Sequence, residues 1–70
     1  MKISEAVKEY LDEQGLKQAA VARRAGIHYS TFNAMLNGRR TMYADDFAKI
    51  CIALGVTAES FVRRAYEQSE

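Results

Sequence analysis

The sequence predicts an all-α fold, five helices packed as one compact domain. Three observations carry this. Apolar residues recur at three- and four-residue spacing, there is no proline, and Gly15, Gly26, Gly38 and Gly55 each close a periodic stretch. Hydrophobic residues make up 49% of only 70 residues, so the core is small and nearly every apolar side chain is needed to fill it.

In the first predicted helix, Ile3, Ala6, Val7, Tyr10 and Leu11 make one apolar stripe, with Lys8, Glu9, Asp12 and Glu13 turned outward. Gly15 stops it and Leu16 tucks back. The second runs from about Gln18 to Ala25, favoured by Ala19, Ala20 and Ala22, with Val21, Ala22 and Ala25 inward. Gly26 ends it, and Ile27 is the apolar residue of the turn. The third starts near Tyr29, where Ser30 and Thr31 support a helix start, and ends by Asn37 before Gly38. The fourth spans about Ala44 to Leu54. Asp45 and Asp46 complement the dipole of its first turn, and Phe47, Ile50, Cys51 and Leu54 face inward. Thr57 caps a fifth helix from about Ala58 to Glu67, after which Ser69 and Glu70 fray. The predicted organisation is a single domain over 1–70, its core from about 3 to 66.

Composition narrows the function. The lone Cys51 excludes an internal disulfide, and with His28 as the only histidine there is no zinc set. Met1-Lys2-Ile3-Ser4-Glu5 opens without the apolar run of a signal peptide, and no stretch has the length of a membrane span. The expectation is a soluble cytoplasmic protein. Catalysis is not expected: the sequence has no nucleophile–base set, no metal cluster and no phosphate-cradling glycine loop, and no cofactor or small-molecule ligand is indicated.

Charge supplies the positive lead. Between Glu13 and Asp45 there is no acid, while Lys17, Arg23, Arg24, Arg39 and Arg40 all lie there. The middle carries +5 and the ends −4 within a net charge of +1, and a local positive field attracts a polyanion whatever the net charge. The same block has helix–turn–helix geometry. Phe32 and Met35, flanked by Thr31 and Leu36, define the inner side of the third helix, and Tyr29, Ser30, Asn33, Ala34 and Asn37 gather on the other. So small a polar face fits a major groove, with the second helix, joined through Ala25-Gly26-Ile27-His28, crossing the backbone.

Gln18 opening the second helix, the turn Ala22-x-x-Ala25-Gly26-Ile27, Ser30-Thr31-Phe32, and Asn37-Gly38-Arg39-Arg40 stand together in one segment. With the downstream run from Ile50 to Thr57, this pattern resembles the Cro/repressor-type (lambda-repressor-like, XRE-type) helix–turn–helix DNA-binding family over roughly residues 3 to 63. The resemblance implies base-edge contacts from Tyr29, Ser30, Asn33 and Ala34. It implies phosphate contacts from Gln18, the loop Asn37, Gly38, Arg39 and Arg40, and nearby Tyr43; Lys17 and Thr31 complete the candidate phosphate set. The base-facing positions hold no arginine, lysine or glutamine. Asn33 could pair with adenine and Ser30 with either kind of partner, so direct readout is expected to be modest and A·T-leaning.

Each residue also has a plainer reading. Arg39 and Arg40, just after the recognition helix, are favoured as phosphate contacts over a solvated loop. Arg23 and Arg24, at the exposed end of the second helix, are read as a solvated face. Gln18 is favoured as a phosphate clamp over a simple helix start, and Asn37 serves equally as C-terminal turn former or phosphate contact. His28 is read as an exposed cap, not a pH switch, and Cys51 as a buried structural thiol. Phe32, Met35, Phe47 and Ile50 are read as core.

The expected function is sequence-specific binding of double-stranded DNA as a transcriptional regulator, a repressor acting by operator occupancy. The alternative is a protein-interaction module on the same fold, an antitoxin or antirepressor component, suggested by the weak readout surface and apolar Leu36. Few base contacts per recognition helix call for two half-sites. The stripe Phe61, Val62, Ala65 and Tyr66 is the candidate surface for a weak homodimer on an inverted repeat. Its inner edge, Phe61 with Val62, also completes the core, leaving Ala65 and Tyr66 to meet the partner.

Overall fold

Each of the five predicted stretches is a helix. A computed structural model describes residues 1–67, forming α1 (Ile3–Gln14), α2 (Gln18–Ala25), α3 (Tyr29–Leu36), α4 (Ala44–Leu54) and α5 (Ala58–Tyr66). No strand occurs among the described residues, and no helix there is long and apolar enough to cross a membrane. The expected fraying of Ser69 and Glu70 lies outside the described residues.

Helix starts are set by short side-chain bonds to backbone N–H groups that the helix itself leaves unpaired. Glu5 accepts from the Lys2 N–H (2.8 Å), Asp46 from the Tyr43 N–H (3.1 Å) and Thr57 from the Ser60 N–H (3.3 Å). At the α3 start the cap is His28, whose Nδ1 accepts from the Ser30 N–H at 3.3 Å. Between α2 and α3, Gly26 sits at φ 73°, which lets the Ile27 N–H reach back to the Ala22 carbonyl at 3.0 Å. A Cβ placed on Gly26 would meet nothing within 4 Å, so an alanine there is opposed by backbone conformation alone. Gly26→Ala is expected to keep the fold but cost about 1–2 kcal/mol, read as a lowered thermal midpoint. An unshifted melt would contradict this.

α3 packs against α1 and α2, α4 against α2 and α5, and α5 against α1. Phe32 of α3 is 0% exposed and Phe61 of α5 almost as buried; Val7, Leu11, Leu36 and Ile50 close around them. The Phe61 ring meets Tyr10 edge-on at 5.5 Å between centroids, and Phe47 at 5.9 Å. Cys51 is buried, as expected, and that burial pushes its thiol pKa up.

Four expectations are corrected. Phe47 is half-buried at the rim of the core, not enclosed within it. Leu16 does not tuck back: only its N–H does, donating to the Leu11 carbonyl at 2.9 Å, and its side chain stays exposed. Leu36 is buried (2% exposed), because it shares the inner side of α3 with Phe32 and Met35. In α5, Phe61 completes the core as expected and is closed to a partner, but Ala65, expected to meet the partner, is buried beside it, and Val62, expected at the edge of the core, is exposed. Phe61 and Ala65 lie one turn apart on the face that meets α1, and Ala65 is 3% exposed, with its carbonyl accepting from the Met1 ammonium at 2.8 Å. The neighbouring positions Val62 (43% exposed) and Tyr66 (68% exposed) are turned about 100° away from it.

Charge fastens α5 to α1. One Arg64 Nη donates to Glu9 and to Glu13, each at 2.9 Å, and the guanidinium lies over the Tyr10 ring. The Arg64 hydrogen bond holds the Glu13 carboxyl below its ordinary value of 4.5. A carboxylate with a lowered folded pKa stabilises the fold above its unfolded pKa, and that contribution disappears as pH falls through the folded value. The thermal midpoint of the wild type is therefore expected to drop on acidification below about pH 4.5. Arg64→Gln should start lower at neutral pH and fall less over that window; parallel curves would show that the pair contributes nothing.

Candidate nucleic-acid interface

The positive block of the sequence is not ion-paired among the described residues. Among the described residues every ion pair uses Arg63 or Arg64, joined to Glu59, Glu67, Glu9 and Glu13. Lys17, Arg23, Arg24, Arg39 and Arg40 are all exposed and have no carboxylate partner among the described residues. Most of the described acids lie on α1 and α5, and the remaining two, Asp45 and Asp46, occupy the first turn of α4, where Asp46 caps the Tyr43 N–H.

α3 presents the expected face. Phe32, Met35 and Leu36 are buried, which turns Tyr29 and Ser30 to solvent and leaves Asn33, Ala34 and Thr31 half-buried. His28, besides capping the helix, has its Nδ1 3.0 Å from the Ser30 Oγ, so the first turn of the face is held in place. The exposed-cap reading of His28 thus matches its position.

Side-chain bonds tie the candidate residues into one network. Gln18, the first residue of α2, accepts from the Asn33 Nδ2 at 2.8 Å. The Asn33 Oδ1 in turn accepts from the Arg39 Nη2 at 3.2 Å. Asn37 donates through Nδ2 to the Asn33 carbonyl (2.9 Å) and accepts at Oδ1 from the Lys8 Nζ (2.8 Å). Asn37 therefore serves as the turn former at the end of α3. Gly38 follows at φ 77°, and the Arg39 N–H returns to the Ala34 carbonyl at 2.8 Å, which sets the Arg39 side chain back along α3. Asn33 is accordingly engaged within the chain on both ends of its amide, a role its place on the outer face does not reveal.

Arg40 and Tyr43 lie further along the loop. With Arg39 they line an open groove of about 450 Å³ that also includes Lys2, Ser4 and Thr41 over a floor of Ile3, Met42 and Phe47. Lys17 is the exposed residue just before α2, and Arg23 and Arg24 are exposed in its last turn. Lys2 and Lys8 are not among the residues the sequence singles out. The fold brings both to the α3–α4 loop, and the only signal for them is that the bases of α1 cluster toward its start while Glu9, Asp12 and Glu13 follow.

A buried-sided α3 after an αL glycine, a polar outer face and a basic loop directly behind it form a helix–turn–helix, and the Cro/C1-type HTH DNA-binding domain model matches residues 6–63. The chain belongs to the Cro/C1-type helix–turn–helix DNA-binding family. No curated protein matches the chain significantly. As a Cro/C1-type domain it is a DNA-binding transcription regulator. The burial of Leu36 removes one of the two features that suggested a protein-interaction module on the same fold; the modest readout surface is the other.

Proposed function

We propose that this single Cro/C1-type domain is a sequence-specific repressor that acts in the cytoplasm by occupying an inverted-repeat operator as a weak homodimer. The observation that carries the reading is the unpaired positive block on the helix–turn–helix, Lys17, Arg39 and Arg40 beside the exposed face of α3. α3 enters the major groove, where Tyr29, Ser30 and Ala34 meet base edges; Gln18, Lys17, Arg39, Arg40 and Tyr43 meet phosphate on either side. Thr31, half-buried, is the weakest member of the phosphate set.

The test is selection of bound sites from a random duplex pool, followed by titration of the selected and a scrambled duplex over a salt series. A recovered inverted repeat, bound with steep salt dependence and more tightly than scrambled DNA, is the expected result. No binding even at low salt would sink the reading.

Dimerisation falls to Val62 and Tyr66, exposed on α5, with Ile52 exposed on the adjoining α4. The apolar surface is small for a stable interface, so association is expected on DNA, with half-sites centred about 34 Å apart. Tyr66→Glu should turn a two-protomer complex on the selected palindrome into stepwise, weaker binding in sedimentation. A one-to-one complex on every duplex, unaffected by Tyr66→Glu, would rule the dimer out.

A further inference from the structure

The bonds through Asn33 have a direction. Arginine has donors only, so the Asn33 atom that meets Arg39 has to be the amide oxygen. That turns the Asn33 NH₂ to Gln18, and the Gln18 atom it meets has to be the carbonyl oxygen. The Gln18 NH₂ is then the end left without a partner among the described residues. The chemistry of Arg39 therefore sets the orientation of two amides in succession. A glutamine with a freely turning amide offers a phosphate either a carbonyl oxygen, which repels it, or two donors. Here only the donors are offered. α2, α3 and the following loop each contribute one member, so the three groups lie across the seam of the helix–turn–helix.

We propose that Asn33 is a positioning residue, not a base reader: it relays polarity from Arg39 to Gln18 so that both present donors to DNA phosphates. This rests on the DNA-binding reading of the same face. An Asn33 swung out to pair with adenine would forfeit both bonds and release both phosphate anchors at once. Sequence is then read by Tyr29, Ser30 and Ala34, and Asn33 contributes to affinity for every sequence alike. The relay also makes Gln18 and Asn33 energetically dependent on each other, since Asn33 acts on DNA through Gln18 and Arg39.

The experiment is a double-mutant cycle on two probes, a site recovered by the wild type from a random pool and a scrambled duplex of the same length. Asn33→Ala is expected to lower affinity about tenfold, close to the lower end for one released charge-assisted bond, and by the same factor on both probes. In a Gln18→Ala background the same change should cost markedly less, a coupling that mere local loosening of α3 would not produce. Asn33→Ser, which keeps a small polar side chain too short to span Gln18 and Arg39, gives the same cycle if the alanine variant does not fold. A loss confined to the selected site, with scrambled-duplex affinity intact, would make Asn33 a base reader and overturn the relay alone. Losses that simply multiply in the double variant would also overturn it. Absence of wild-type binding to either duplex would overturn the function reading and the relay with it.

Discussion

Phe32→Ala is expected to leave no stably folded domain. The ring is fully buried on the inner side of α3, packed in the cluster that joins α1, α2, α4 and α5. Removing it takes away its transfer energy and leaves a cavity that the surrounding helices cannot collapse to fill, a cost of about 3–5 kcal/mol. A single hydrophobic core in a chain this short supplies a net stability of about 3–5 kcal/mol, so the loss is comparable to the whole. Far-UV circular dichroism with thermal and urea melts would measure it, and a cooperative melt close to the wild type would mean that α3 is not anchored by Phe32. Phe47→Ala is the internal comparison. Because Phe47 is half-buried at the rim, its loss should cost less than that of Phe32, with a folded protein remaining.

Arg39→Ala is expected to have the largest effect on binding of any single basic residue. Arg39 contributes twice: through donors available to phosphate, and through the bond at 3.2 Å that fixes Asn33. Its loss should weaken binding to all sequences and lower the salt slope by about one. Arg40→Ala should lower the slope equally but weaken binding less, since Arg40 makes no bond to the Gln18–Asn33 pair. Arg23→Ala should change little. Arg23 is equally exposed and equally unpaired, but it sits in the last turn of α2, away from Gln18 at the first. Titrations of the three variants against one duplex at several salt concentrations separate these cases. If Arg23 proved as costly as Arg39, the domain would have to lie on DNA in a different orientation.

Much of this is local chemistry and was legible in the sequence. The helices follow from apolar spacing and from glycines that accept left-handed conformations, as at Gly26 and Gly38. The buried side of α3 follows from Phe32 and Met35 at helical spacing, which leaves Tyr29 and Ser30 outside. The unneutralised middle follows from where the acids are absent. Even His28 as a cap is a matter of neighbours two residues apart.

What the tertiary structure alone decided involves residues far apart in the chain, where spacing carries no information. A helical stripe does not say how much of itself the rest of the chain covers. On α5, Ala65 joined Phe61 in the core because α1 packs along that face, and Val62 stayed outside with Tyr66. Leu36 is hidden for the same reason, which removed the surface that favoured a protein partner. Polar residues are less legible still, because a hydrogen bond depends on positions to within a few tenths of an ångström. Asn33 stands on the exposed side of its helix by any periodicity, and the sequence by itself assigned it to the bases. It is the crossing of α2 over α3, with the return of the loop at Gly38, that sets Gln18 and Arg39 at the two ends of its amide.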